Sequence, residues 1–458
     1  MRGNTIFAEG YWKPFHQAFC HRQYSQTKSF VGVAIGLLEE EGKLCLDDKI
    51  IDYFPEKADG EWQKYFANQT IREMLMMTTV GGNIYWFVSN DPDRTHYYFN
   101  EQRQTRPSGT LWEYDSPGSQ VLCALVEKLA NKPLLDYLKE KLFNEMHAFE
   151  NATVLKTPNG DSWGDSAMIC TLRDMAAFGR FVMNYGVWNG KRLMNEAYLR
   201  EATSRLVAND ESAHYSAYHQ GYGYQIWRVC GGGFAFVGMG DQLTVCYPEK
   251  DLLFACTADN QGTNLIREKI FEMLEDMFVT QIQKQPLPEN TIAQQALSEL
   301  LSNLQLRSAQ GKTDSDFRSE LNGSEYACEK NPMGIEKFSF VFHDHTSGEF
   351  RYTNAQGDKV LPFGVNRNAF GKFPQLGYSN EYGAVPTTDG FTYDAATSLA
   401  WLEEKKLLLC VQIIDRYFGN MSALFAFKDN EVCARFTKTA EAFLDEYQGD
   451  LIARKISS

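Results

Sequence analysis

Ser25 and Lys28 are the pair of residues whose types and spacing could carry chemistry. They stand at the head of residues 26–42, where Phe30, Val31, Ala34, Ile35, Leu37 and Leu38 recur with helical spacing and Gly42 supplies a stop. Residues three apart share a helix face, so the Lys28 amine can reach the Ser25 hydroxyl. A neutral lysine placed there takes the serine proton and frees the oxygen to attack a carbonyl carbon. The helix N-terminus favours an oxyanion and disfavours a cation. The Ser25 backbone N–H is one donor for that oxyanion. With 24 serines and 25 lysines in 458 residues, roughly one Ser-x-x-Lys arises by chance, so the motif gains meaning only from its context.

The elements that must position this pair follow along the chain. Residues 47–54 turn into a short segment, and residues 70–77 read as helical. Residues 81–106 form a long aromatic, irregular stretch (Tyr85, Trp86, Phe87, Tyr97, Tyr98, Phe99), and loops of that length usually carry function. Within it, residues 83–100 are the candidate pocket wall. Residues 119–130 and 134–142 are amphipathic helices separated by Asn131-Lys132-Pro133, and residues 172–185 are another. Short strands are expected at 222–229, 233–237, 242–247 and 252–257, with Gly231-Gly232-Gly233 as a hairpin turn, before a closing helix at 264–281. This order predicts an α+β fold in which helices pack on an antiparallel sheet. Two prolines, Pro286 and Pro288, open a polar linker over 284–317 with one helix at 292–304. From Leu321 the apolar period is two, as in Phe338, Phe340 and Phe342, which predicts an antiparallel β-meander closed as a barrel or sandwich. The expected domains are 1–283, the linker 284–317, and 318–458.

Tyr24-Ser25-Gln26-Thr27-Lys28-Ser29-Phe30, running into Gly36-Leu37-Leu38 and Leu46-Asp47-Asp48, resembles the serine β-lactamase-like superfamily of class C β-lactamases, DD-peptidases, esterases and 6-aminohexanoate-dimer hydrolases. Trp112-Glu113-Tyr114-Asp115-Ser116 resembles its second motif, and Gly238-Met239-Gly240-Asp241 the strand of its third, in the family's order over about residues 5–281. The resemblance implies a β-lactamase/transpeptidase-like fold followed by a lipocalin-like barrel. It implies Ser25 as nucleophile, Lys28 as its base partner, and Tyr114 as the proton shuttle to the leaving group. It implies that Ser116 bonds Lys28 or the substrate, and that Asp241, after Gly238 and Gly240, gives the second oxyanion N–H. The family's third motif often carries a cation, and this triplet has none. That lowers the β-lactamase and DD-peptidase readings, whose substrates bear a carboxylate, and favours an ester or linear amide. A catalytically degenerate binding protein is the competing reading. Only 24 residues precede Ser25, so residues 4–12 are expected to supply one strand and the closing helix to lose a packing partner: either the chain is truncated, another copy covers that surface in a homo-oligomer, or the domain is a remnant.

Other signals are weaker. Gly160-Asp161-Ser162-Trp163-Gly164 matches a nucleophile-elbow pattern but follows a polar turn rather than an apolar strand. His343-Asp344-His345 lacks further spaced ligands, and His214 and His219 are candidates to line a pocket. No cofactor and no metal is expected; the partner is a small ester or amide. A formal charge of −14 argues against nucleic acid and anionic membrane surfaces. The longest apolar run near the start, residues 30–38, is far short of the roughly 20 a span needs. Residues 1–15 lack the apolar core of a signal peptide, so as written the expectation is cytoplasmic. The ten cysteines form no Cys-x-x-Cys pair, and most read as buried free thiols.

Overall fold

Helix α1 (Thr27–Glu40) is buried from Thr27 through Leu38. A helix apolar on every side belongs in the middle of a domain rather than on its surface. Phe30 stacks on Phe178 at 4.0 Å and meets Phe143 and Phe149 edge-on. The computed structural model describes all residues except 60–62, 83, 211–215, 261–263, 286, 384–388, 441–446 and 457–458. They form two compact units. The first comprises Met1–Glu9, Gln17–Thr291 and Asn380–Val385, and the second Gly10–His16, Ile292–Ser379 and Pro386–Ser458.

In the first unit, strand β1 (His21–Arg22) leads into α1. Helix α2 (Arg94–Asn100) lies inside the aromatic stretch expected to be irregular; Asp93 caps it by accepting from the Thr95 and His96 amides. Helix α3 (Ser116–Ala130) packs on α1. Strands β2 (Thr153–Val154) and β3 (Met168–Cys170) complete a small sheet in the order β1-β3-β2. Helix α4 (Leu172–Met183) opens with a capping box between Thr171 and Asp174. Strands β4 (Trp227–Val229), β5 (Gly233–Gly238), β6 (Gln242–Tyr247) and β7 (Leu252–Cys256) form a four-stranded antiparallel sheet, and helix α5 (Asn264–Leu274) follows.

Two expectations are corrected here. The strand expected over 222–229 shrinks to β4, because Gln225 takes a left-handed φ of 58° and its backbone N–H donates to Leu75 O at 2.9 Å rather than to a strand neighbour, while its side chain bonds the Met74 and Leu75 carbonyls. Residues 4–12 form no strand. The edge of β7 is taken by Met1 and Arg2, with Met1 N donating to Leu253 O at 2.8 Å, and Ile6 and Phe7 are exposed. Helix α5 buries Phe271 and Leu274 and leaves Ile266 and Met273 exposed.

The second unit holds helix α6 (Thr291–Ser302) and strands β8 (Glu325–Cys328), β9 (Lys337–Phe342), β10 (Ser347–Asn354), β11 (Gly357–Val365), β12 (Ala369–Leu376), β13 (Thr392–Glu403), β14 (Lys406–Ile413), β15 (Gly419–Lys428), β16 (Glu431–Ala440) and β17 (Gly449–Lys455). A parallel pairing of Gly364 with Ser398 and Val365 with Leu399 joins β11 to β13 and closes a nine-stranded barrel. Strand β12 pairs with β13 outside that ring. The alternation in β9 places Phe338 and Phe340 inside, against Phe350 and Phe425. No described helix is long and apolar enough to cross a membrane.

Candidate active site

Ser25 sits in a 3-10 turn, Tyr24–Gln26, that runs straight into α1. Tyr24 is buried with a left-handed φ of 48°, a conformation costly for a bulky side chain and held only by its surroundings. The surroundings are specific. Thr27 Oγ1 donates to Tyr24 O at 2.6 Å and accepts from the Met168 amide at 3.0 Å. Gln26 Nε2 donates to Gln23 Oε1 at 3.0 Å. The turn that carries Ser25 is thus tied to β3 as well as to its own helix.

Lys28 Nζ donates to Ser25 Oγ at 3.0 Å and to the Asp165 carbonyl at 2.7 Å. It also lies 3.7 Å from Asp165 Oδ2, with both side chains 1% exposed. Asp165 gave no signal in the sequence beyond an acidic residue just outside the Gly-x-Ser-x-Gly pattern. Burial pushes its carboxyl up to about 6, against the pull of the Lys28 charge. Tyr85 OH donates to Asp165 Oδ2 at 3.0 Å, and Trp163 Nε1 donates to Tyr85 OH at 3.1 Å. Burial and the nearby Asp165 carboxylate hold the Tyr85 phenol well above its usual range. The aromatic stretch therefore touches the site through Tyr85, while Phe87 is exposed.

Tyr114 places its ring centroid 5.1 Å from Lys28 Nζ and stacks on Trp227 at 5.5 Å. Ser116 is the first residue of α3, whose N-cap Asp115 accepts from Gly118 N at 2.7 Å and Thr79 Oγ1 at 2.7 Å. No hydrogen bond joins Ser116 to Lys28 among the described residues; the amine's partners are Ser25 and Asp165.

Gly238 ends β5 against the loop before Ser25, where an added methyl would collide with the Gln23 carbonyl. Gly240 and Asp241 take φ of 75° and 67° in the turn to β6. A cation absent from the triplet lies beside it in space, on α5: Arg267 Nε donates to Asp241 Oδ1 at 2.8 Å and a terminal nitrogen reaches Gly238 O at 3.3 Å. A residue 29 positions from Gly238 leaves no local motif to read.

The weaker signals separate from this cluster. Ser162 takes its amide partner from Glu127 and gives its carbonyl to Gln120. Gly164 is required by Cys123, whose side chain would overlap any larger residue there. His343 pairs with Glu349 and His345 with Asp314, on separate partners. His219 stacks on Trp227 at 5.3 Å, and His214 lies outside the described residues. All ten cysteines are free; Cys123, Cys170, Cys230 and Cys246 are buried, whereas Cys45 and Cys433 are exposed.

Residues 1–275 match the family described as Beta-lactamase. Over 272 residues the chain is 24% identical to a 6-aminohexanoate-dimer hydrolase of Paenarthrobacter ureafaciens, covering 55% of this chain and 69% of that protein. Among solved structures, a candidate 6-aminohexanoate-dimer hydrolase from Bacillus anthracis superposes with a TM-score of 0.52 at 20% identity, over 63% of this chain and 79% of that one. A candidate beta-lactamase from Bacteroides dorei gives 0.50 at 14% identity, over 61% and 92%. These structural likenesses speak for the fold.

Proposed function

Because the chain belongs to the Beta-lactamase family, we propose that it is a serine hydrolase acting through an acyl-enzyme on an ester or a linear amide. The observation that carries this reading is the 3.0 Å hydrogen bond from the buried Lys28 amine to Ser25 Oγ. In its neutral form Lys28 takes the Ser25 proton as the oxygen attacks the substrate carbonyl carbon. The Ser25 and Asp241 amides hold the resulting oxyanion. Tyr114 passes a proton to the leaving alcohol or amine, and later helps activate the water that releases the acid. Ser116, which is not committed to Lys28, serves the substrate.

The substrate class follows from charge. A β-lactam or a D-Ala-D-Ala peptide brings a carboxylate that a cation beside β5 would hold. Arg267 is there, but Asp241 meets its charge at 2.8 Å. That pairing supports a substrate without a carboxylate at this end. The test is turnover of a p-nitrophenyl ester and of a chromogenic cephalosporin by wild type and Ser25→Ala. Ester hydrolysis lost in the variant, with little cephalosporin turnover, is expected. Fast cephalosporin hydrolysis would reassign the substrate class. Loss of neither reaction on Ser25→Ala would remove Ser25 from the mechanism.

A further inference from the structure

Asp165 is fully buried, yet its carboxylate is incompletely satisfied. Oδ2 accepts from Tyr85 OH at 3.0 Å, while Oδ1 has no hydrogen-bond partner among the described residues. A buried carboxylate with only a structural duty normally has both oxygens bonded. The 3.7 Å from Oδ2 to Lys28 Nζ is an ion-pair distance, beyond a hydrogen bond. The same residue's backbone carbonyl holds the amine at 2.7 Å. One residue thus grips Lys28 by its main chain and faces it with a charge. Tyr85 and Trp163 brace that charge from the far side, and Arg22 lies over the Trp163 ring at 4.4 Å while its Nε donates to Ser166 O at 2.8 Å.

We infer that Asp165 is a positioning residue for the Ser25–Lys28 pair, holding the amine on the serine hydroxyl and offsetting the positive charge that appears on Lys28 when the serine proton moves. This inference rests on the serine-hydrolase reading. In the step concerned, the Ser25 O–H bond breaks and an N–H bond forms on Lys28. The oxygen's electron pair makes the new bond to the acyl carbon, and the carbonyl π pair becomes the oxyanion. Asp165 exchanges no proton; it remains a carboxylate beside a lysine that changes from neutral to charged. That is the electrostatic service a buried aspartate gives a catalytic histidine in serine proteases, rendered here to a lysine. Among the described residues, Lys28 from α1, Arg22 from β1 and Tyr85 from the aromatic stretch act on Asp165, and Asp165 in turn acts on Arg94 from α2 and Cys123 from α3.

The test is the second-order rate of Ser25 labelling by a fluorophosphonate, followed by intact mass between pH 5 and 9. It compares wild type, Ser25→Ala, Asp165→Asn and Tyr85→Phe, with melting curves on each. Asp165→Asn keeps the backbone carbonyl and the shape. It is expected to lower the plateau rate roughly ten- to a hundredfold and to move the acid limb of the profile to lower pH, since a negative charge beside the reacting amine is lost. Removing a packing group alone would not move that limb. An unshifted limb with a wild-type plateau in a folded Asp165→Asn overturns the inference while leaving Ser25 as nucleophile. Absence of any Ser25-dependent adduct on wild type overturns the hydrolase reading itself. Should Asp165→Asn fail to fold, Tyr85→Phe decides, since it removes the hydroxyl that donates to Oδ2 and accepts from Trp163 Nε1 while leaving the Asp165 backbone carbonyl in place. A several-fold lower plateau supports the inference, and a wild-type rate overturns it.

Discussion

Lys28 and Tyr114 carry different parts of the proposed reaction, and their substitutions should separate accordingly. Lys28→Ala removes the proposed acceptor of the serine proton and is expected to cut kcat for ester hydrolysis by about 10³-fold. Tyr114→Phe keeps the ring that stacks on Trp227 and removes only the hydroxyl, so a loss of about 10²-fold with little change in KM is expected. Steady-state kinetics on folded variants check both, and equal activity in all three proteins would contradict the assignment. His21 makes a stability prediction. It is buried, its Nδ1 lies 2.9 Å from the Arg22 carbonyl, and burial lowers it to about 4. The unfolded chain binds this proton near 6.5, whereas the folded one resists it down to about 4. Stability from this residue is therefore complete above pH 6.5 and is lost as pH falls toward 4, by roughly 3 kcal/mol. Denaturant unfolding of wild type and His21→Asn at pH 7 and pH 4.5 measures it. The gap between them should close, or reverse in favour of the variant, at the lower pH.

At the scale of elements, the site depends on how closely the end of β5 approaches the turn before α1. Gly238 permits that approach, since a side chain there meets the Gln23 carbonyl. Gly238→Ala is expected to destabilise by about 1–3 kcal/mol and to lower kcat as β5 is pushed off Ser25. Thermal melting and kinetics on the same sample test this, and a fully active, fully stable Gly238→Ala would contradict the placement. Much of this arrangement was legible beforehand. Helical spacing gave α1, the order of motifs placed Tyr114 and β5, and the alternation at Phe338, Phe340 and Phe342 announced the barrel. What escaped had no local pattern. Gln225 leaves the strand because its polar side chain finds three buried partners, Met74 O, Leu75 O and Ser119 Oγ. Asp93 supplies a cap that turns part of an apparent loop into α2. Asp165 and Arg267 reach the site across 137 and 26 positions of chain, from Lys28 and Asp241 respectively. Such pairings depend on tertiary packing and cannot be read from spacing.

The whole molecule divides into two units with their own apolar interiors. Each is large enough to unfold cooperatively, so calorimetry is expected to resolve two transitions. Trp401, fully buried in the barrel, should cost about 3–5 kcal/mol when replaced by alanine and should lower one transition. His21→Asn, in the first unit, should act on the other. Both substitutions shifting a single common transition would contradict this division. Lys156 N donates to Glu381 O and Gly383 N to Lys156 O, each at 2.8 Å, and Gly383 lies flat against the Trp163 ring. The central claim concerns one oxygen atom, Ser25 Oγ. Intact-mass spectrometry of the full chain after incubation with a fluorophosphonate addresses it most directly. A single adduct on wild type that disappears in folded Ser25→Ala is the predicted result. An adduct that persists in Ser25→Ala, or none on folded wild type, would contradict it.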